Sequence, residues 1–446
     1  MKGDFSRNTF NSRKHYSGVL MQQGRVQLDA DWNEQLLIQH HRTETEAKDV
    51  IGLCGVPKKS DAFKLNLVPD TGQPDDLALS PGRIYVDGLL CELESTFVPL
   101  GFISGQDQQV SVPFLTADGR AFQAGQWLEV SADGQPPKFI RITGTDEAQG
   151  VIKVDQSIAD YRGKNNAGVR RIVTYTSQPD YPSPDFATAP DPNTGTPAKL
   201  KLADGNYLAY LHVWKEHITA LDDRLIRENA LGGPDTATRI KNVWQLELLP
   251  AATIIKDEGG NGGNGGNGNN EPASCETRFE EWDKLVALST GRMNARTHFV
   301  EDPKNPCVLP PSSGYQRLEN QLYRVEIQKG GALNVATFKW SRENGSVLTS
   351  IEKVQGNTLT VTEVGKDEFL GFTGGGWAEI IEDETELKTA PSQLVHIKRV
   401  DPALREIELD SIDSAYQSKT NLKLRRWDQS GENLADGLKA DAGWVG

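Results

Sequence analysis

Methionine and cysteine are scarce in this 446-residue chain, at three and four residues, and aromatic residues make up only 7%. The four cysteines, Cys54, Cys91, Cys275 and Cys307, form no C-x-x-C pair, so the common zinc-site spacing is missing. Cys54 and Cys91 lie in apolar runs and are expected to be buried thiols. Cys275 and Cys307 flank one segment, but without an export signal a disulfide between them is disfavoured. No run of about 18 apolar residues occurs, so no transmembrane helix is expected. The segment Met1–Arg7 lacks the apolar centre of a secretory signal. Positive charge is also in short supply. Against 62 acidic residues stand 48 Lys and Arg, a net charge of −14, which argues against nucleic acid because phosphates demand a basic surface. These absences point to the cytoplasm, unless a whole assembly carries the protein out.

Glycine and proline are plentiful, at 43 and 23, so loops are many, and the length leaves room for roughly two to four domains. Val19-Leu20-Met21 and Val26-Gln27-Leu28 flank Gln22-Gln23-Gly24 and read as a short hairpin. Asp29-Ala30-Asp31 offers a helix start, and Trp32 to Ile51 reads as the helix, with Trp32, Leu36, Leu37, His40, Ala47, Val50 and Ile51 close to one face. Asp87-Gly88 between Ile84-Tyr85-Val86 and Leu89-Leu90-Cys91 is a hairpin signal. Glu343-Asn344-Gly345, between 336–341 and 346–351, is another. Residues 259–270 contain only Gly and Asn, a flexible tether with an r.m.s. span of about 20 Å.

Two stretches, 122–158 and 369–412, read as copies of one small β module. The first has Phe122, Gly125, Trp127, Glu129 and Asp133, then Phe139-Ile140-Arg141-Ile142, Asp146 and Ile152-Lys153-Val154-Asp155. The second has Phe372, Gly375, Trp377, Glu379 and Asp383, then Leu394-Val395-His396-Ile397, Asp401 and Ile407-Glu408-Leu409-Asp410. The copies differ mainly in the turn after Asp133 and Asp383. The strand at Leu322–Ile327 resembles that at Val243–Leu248 and could extend the repeat. The expected fold class is mainly β with minor α: multidomain and hairpin-rich, with a duplicated small β module and an N-terminal hairpin plus helix. The expected regions are 1–105, 106–175 (first module), 176–258, 259–272 (linker), 273–356, 357–427 (second module) and 428–446. The tail after Leu424-Arg425-Arg426-Trp427 suggests a missing final strand pair or an end ordered by a partner.

Motifs of chemistry are mostly missing. There is no H-E-x-x-H, G-x-S-x-G, phosphate loop or zinc-ligand set. His212 and His217 sit five apart, on opposite faces of a strand. Asp222, Asp223 and Glu228 could form a glycosidase-like carboxylate pair, but acidic residues on a solvated turn are far commoner. The repeated Glu129/Asp133 and Glu379/Asp383 suit turn or docking roles better than calcium ligation. Trp127 and Trp377 suit a core better than a sugar platform. No catalytic, cofactor-binding or metal-binding residue is assigned, and no cofactor is expected.

Three stretches carry a family likeness. They are Met1–Arg7 with Lys14-His15-Tyr16 and Gln22–Asn33; Ala230–Arg239; and Glu319–Ile327 with Phe338–Val347. The chain resembles a bacterial family of uncharacterised proteins encoded beside phage-tail-like contractile injection systems. The resemblance implies a structural, non-enzymatic, baseplate-associated subunit, present in multiple copies and contacting other subunits of the particle. It would touch no nucleic acid, and it would meet a membrane only through the assembly. The alternatives are a fibre-like surface-recognition or carbohydrate-binding module and, behind it, a cell-wall hydrolase. Phe5, Phe10 and Tyr16 are expected to dock either on a neighbouring subunit or back on this chain.

Overall fold

The structure is a computed structural model that describes residues 2–68, 76–103, 105–112, 116–117, 120–189, 198–251, 279–295, 322–367, 369–388, 392–431 and 434–440. The Gly/Asn tether, Cys275 and Cys307 lie outside the described residues. Strand accounts for 37% and helix for 15%, so the chain is mainly β with minor α.

Helix α1 (Asp29–Ile51) starts three residues earlier than the apolar pattern suggested, with Leu28 in the N-cap position. Ahead of it the turn at Gln22–Arg25 forms, but the residues on either side build no ladder. Strands β1 (Cys54–Gly55), β2 (Leu65–Val68), β3 (Asp76–Leu79), β4 (Gly82–Val86) and β5 (Leu89–Leu93) follow. The β4–β5 hairpin turns at Asp87-Gly88, and β1 adds to its edge. Cys91 is buried as expected, whereas Cys54 is exposed, because β1 is an edge strand only two residues long.

Then come β6 (Phe97–Pro99), β7 (Gly101–Phe102), β8 (Gln109–Ser111), a small ribbon of β9 (Thr116–Ala117) and β10 (Arg120–Ala121), β11 (Trp127–Ala132), β12 (Gln135–Asp146), β13 (Val151–Val154), β14 (Gly168–Arg171) and β15 (Val173–Thr174). The main sheet has the order β6-β14-β11-β12-β13-β8-β7. Its two end strands are neighbours in the chain, parted only by Leu100, whose N–H bonds to the Ala167 carbonyl at 3.0 Å. The sheet therefore closes into a ring in which β6 and β7 act as one interrupted strand. β15 instead joins β2 and β3.

β16 (Tyr207–Ile218) and β17 (Arg239–Pro250) pair with each other, and α2 (Glu280–Leu285) follows. β18 (Arg324–Lys329), β19 (Thr337–Ser341), β20 (Leu348–Gln355), β21 (Thr358–Val361), β22 (Trp377–Ile381), α3 (Asp383–Leu387), β23 (Gln393–Asp401), β24 (Glu406–Leu409), β25 (Lys423–Trp427) and β26 (Leu438–Lys439) complete the chain. A closed barrel has the order β20-β21-β24-β23-β22-β25. Here β20 is continuous. Leu348–Ser350 pair with β25, and residues 351–355 pair with β21. The turn at Glu343-Asn344-Gly345 forms, yet its flanks do not make a hairpin: β19 joins β18 and β26, while β20 enters the barrel.

The two rings match strand for strand. Trp127 faces Arg141 as Trp377 faces His396, and Glu129 faces Arg170 as Glu379 faces Arg425. The Gly125 N–H bonds to the Ile142 carbonyl at 2.7 Å, and that of Gly375 to Ile397 at 2.7 Å. Both second strands bulge at the same place, after Ile142 and after Ile397. The interiors match as well: Val110, Leu128, Val130, Ile140, Ile142, Ile152 and Val154 in one ring, Leu359, Ala378, Ile380, Val395, Ile397, Ile407 and Leu409 in the other. Tyr161 and Tyr416 close equivalent ends from equivalent 3-10 turns. Each fully buried aliphatic side chain contributes roughly 1.5–3 kcal/mol, which is why alternation alone specifies the ring so strongly. Each ring begins upstream of the module boundary read from the sequence, at 97 and at 348, because the closing strand carries no repeated motif. The likeness between Val243–Leu248 and Leu322–Ile327 is not part of the repeat, since one follows its ring and the other precedes its own.

The larger of two compact units holds 1–201, 212–245 and 321–446, and with them both barrels. The smaller holds 202–211 and 246–320, where Tyr210 meets Trp282 edge-on at 5.3 Å and bonds to Glu247.

Candidate functional site

The second barrel lacks the tight Asp133-Gly134 turn of the first. In its place α3 is inserted, its first turn held by a reciprocal capping box between Glu382 and Thr385. This insertion brings Thr385 and Glu386 to the wall of a cleft of ≈ 420 Å³ beside β22 and β25. The cleft's cations are Lys2, Lys215, Arg324, Lys339 and Arg425, and its acids are Glu216, Asp222, Glu326, Glu379 and Glu386.

Most of these charges are paired. Lys339, 3% exposed, donates to Glu379 Oε1 at 2.6 Å and lies 4.7 Å over the Trp427 ring, while Trp427 Nε1 donates to Glu379 Oε2 at 2.9 Å. Glu326 accepts from Arg324 Nε at 2.5 Å and meets Lys2 at 3.4 Å. Burial raises the Glu326 carboxyl, but Lys2 and Arg324 outweigh it and hold the group below the usual range. Lys423 bonds to Asp222 and donates to Glu386 Oε2 at 3.0 Å. Burial works against Lys423, but Glu386 and Asp222 raise its pKa overall. Asp222 is lowered, its own burial overcome by Lys423.

Arg425 is the exception. It is 4% exposed, its Nε has no hydrogen-bond partner (nor has that of Arg170), and its nearest carboxylate is Glu386 Oε1, an ion pair at 3.7 Å. In the first barrel the equivalent Arg170 donates from Nη2 to both oxygens of Glu129 at 2.8 Å. Burial, then the charge of Arg425, lowers the pKa of Lys2.

The N-terminal segment helps to build the cleft. Asn344 Nδ2 donates to the Gly3 carbonyl at 3.0 Å, and the Phe5 ring meets His217 edge-on at 5.7 Å. Ser6 bonds to Asp29, Thr9 to Glu34, and Phe10 packs on His41. Phe5 and Phe10 thus fold back on this chain, while Tyr16 stays 58% exposed. His217, bonded through Nε2 to Thr238 Oγ1 at 2.8 Å, has its pKa pushed down to about 4 by burial and by cations that include Arg425.

The residues weighed from sequence fall in different places. Of the three suspected carboxylates only Asp222 reaches the cleft; Asp223 and Glu228 cap short turns at the N–H groups of Leu225 and Ala230. Trp127 and Trp377 are 7% and 3% exposed, core residues rather than a platform. Among the described residues no cluster of three or more His, Cys, Asp or Glu could hold a metal ion. Lys2, Lys339 and Arg425 were missed. Arg425 was legible in principle, since it lies nine residues after Tyr416 just as Arg170 lies nine after Tyr161.

A second surface is apolar. Of the 23 residues in α1 only Ala30 and Ile38 are buried. Trp32 is 76% exposed, Val50 80%, and Leu20 and Val26 ahead of the helix 91% and 83%. The helix is tied to the body chiefly by polar contacts, Lys48 to Asp87 at 2.5 Å and Lys215 to Glu44.

A family model matches residues 1–127, 168–257 and 252–442, and its description is a family of unknown function (DUF6519). The chain belongs to this family. The match skips 128–167, most of β11 to β13 in the first barrel, while covering the second barrel and the cleft throughout. No curated protein and no solved structure matches. No helix among the described residues is long and apolar enough to cross a membrane.

Proposed function

We propose that this member of the DUF6519 family is a structural, non-enzymatic subunit of a phage-tail-like contractile injection particle, associated with the baseplate and present in several copies. The particle is assembled in the cytoplasm and then released or anchored. The supporting observation is the bare apolar face of α1 and the segment before it. Leu20, Val26 and Trp32, close together in the chain at the start of this helix and just ahead of it, are all more than three-quarters exposed, and exposed apolar residues grouped in this way mark interaction sites. The two barrels repeat one packed core, and the cleft's acids are mostly held by cations, which fits a scaffold. The sequence resemblance supplies the kind of assembly.

The test is to isolate particles from a strain that makes them and to locate this polypeptide by mass spectrometry and image reconstruction. Density for α1 against a neighbouring subunit is the expected result. Complete, functional particles without this chain would end the proposal.

A further inference from the structure

The two barrels supply an internal comparison for Arg425. In both, a Glu on the strand after the Gly-x-Trp turn faces an Arg on the closing strand. In the first barrel they bond to each other. In the second, Lys339 and Trp427 take both oxygens of Glu379, and Arg425, in the cleft wall, is left with a buried Nε without a partner and a looser ion pair to Glu386 Oε1 at 3.7 Å. A buried cation without its hydrogen bonds is costly unless something supplies acceptors. The stems of Arg425, Arg324 and Lys2 converge over Gly345, where an added Cβ would lie 3.4, 3.7 and 3.8 Å from them. Glu386, the nearest acid, is bonded to Lys423 through Oε2 and meets Arg425 through Oε1 at ion-pair distance, beyond hydrogen-bond length.

We infer that the cleft is a receptor for one carboxylate group, gripped by the Arg425 guanidinium with Lys2 beside it. The planar fork of an arginine matches a carboxylate edge-on with two parallel hydrogen bonds. The charge balance of the lining disfavours a second negative charge on the ligand. Five acids offset five cations, so a phosphate dianion would meet Glu326, Glu379 and Glu386 without enough compensating charge. The volume accommodates a small acid or the end of a peptide. The source of the carboxylate is therefore either a free acid or a group displayed by a protein.

Calorimetric titration of the full chain at constant ionic strength decides this, with acetate, N-acetyl-Gly-Gly, its C-terminal amide and inorganic phosphate as probes. Saturable binding of a carboxylate probe, with the amide inert, is the expected result. Equal binding of acetate and the peptide identifies a free acid as the source; binding of the peptide alone identifies a protein terminus. Arg425→Met should weaken binding by about tenfold or more, given the strength of charge-assisted pairs, while Arg170→Met leaves it unchanged. If Arg425→Met does not fold, Lys2→Met takes its place and should weaken binding severalfold. No saturable carboxylate binding, tighter binding of phosphate, or an unchanged affinity in the folded variant would overturn the assignment.

Discussion

Arg425 stands directly across the β22–β25 ladder from Glu379 and does not bond to it. The equivalent Arg170 and Glu129 do bond. One lysine from outside the barrel, Lys339, accounts for the difference by occupying Glu379.

Lys339 and Glu379 form a pair with side chains 3% and 6% exposed. Lys339→Met should cost up to roughly 3–5 kcal/mol in urea unfolding, the penalty of a stranded buried carboxylate, and less to the extent that Arg425 moves across the ladder onto Glu379. Lys339→Met with Glu379→Leu should recover most of that loss. A double variant as unstable as the single would show that the cost lies in packing rather than charge.

Trp377 is buried at the end of the second ring, with Nε1 donating to the Gly431 carbonyl at 3.0 Å. Trp377→Ala should destabilise by about 3–5 kcal/mol, the usual range for a large aromatic lost from a core. Trp127 is slightly more exposed, with Arg141 at 5.7 Å from its ring, and Trp127→Ala should cost somewhat less. Thermal or denaturant unfolding ranks the two.

His217 titrates near 4 in the fold, against 6.5 for a free histidine. The unfolded chain therefore binds a proton that the fold resists. The stability tied to this group is intact above pH 6.5 and falls as the pH drops towards 4, by about 3 kcal/mol in all. His217→Gln should flatten the stability–pH curve in that window. An unchanged slope would mean that His217 binds its proton equally well in the folded and unfolded chain.

Gly88 has φ +85° at the tip of the β4–β5 hairpin, and a Cβ there would lie 2.2 Å from the Glu44 carbonyl oxygen in α1. Gly88→Ala should cost on the order of 1–3 kcal/mol from backbone strain alone, with the clash in addition. The tip should also loosen from α1, seen as faster amide exchange at residues 44–48. Trp32→Ser, on the bare face of the same helix, should by contrast change stability by no more than about 0.5 kcal/mol.

The duplicated β module was legible along the chain, although its closure into a ring was not. Period-two alternation at Leu128/Val130 and Ala378/Ile380, the glycines before Trp127 and Trp377, and the paired turn aspartates are local features, and local features survive in one dimension. The same holds for the Asp87-Gly88 hairpin and for most of α1. Only the tertiary structure decided the rest. That β6 and β7 share one closing strand, that β20 leaves its apparent hairpin for the barrel, and that α1 keeps its apolar face bare are matters of long-range pairing. The cleft is the clearest case. Lys2, Lys339, Asp222 and Arg425 come from four distant parts of the chain, and which acid each cation holds depends on geometry that no spacing encodes. The five extra residues around α3 were visible as a longer turn. Their consequence, a cleft wall that sets Glu386 beside Arg425, existed only once the barrel had closed.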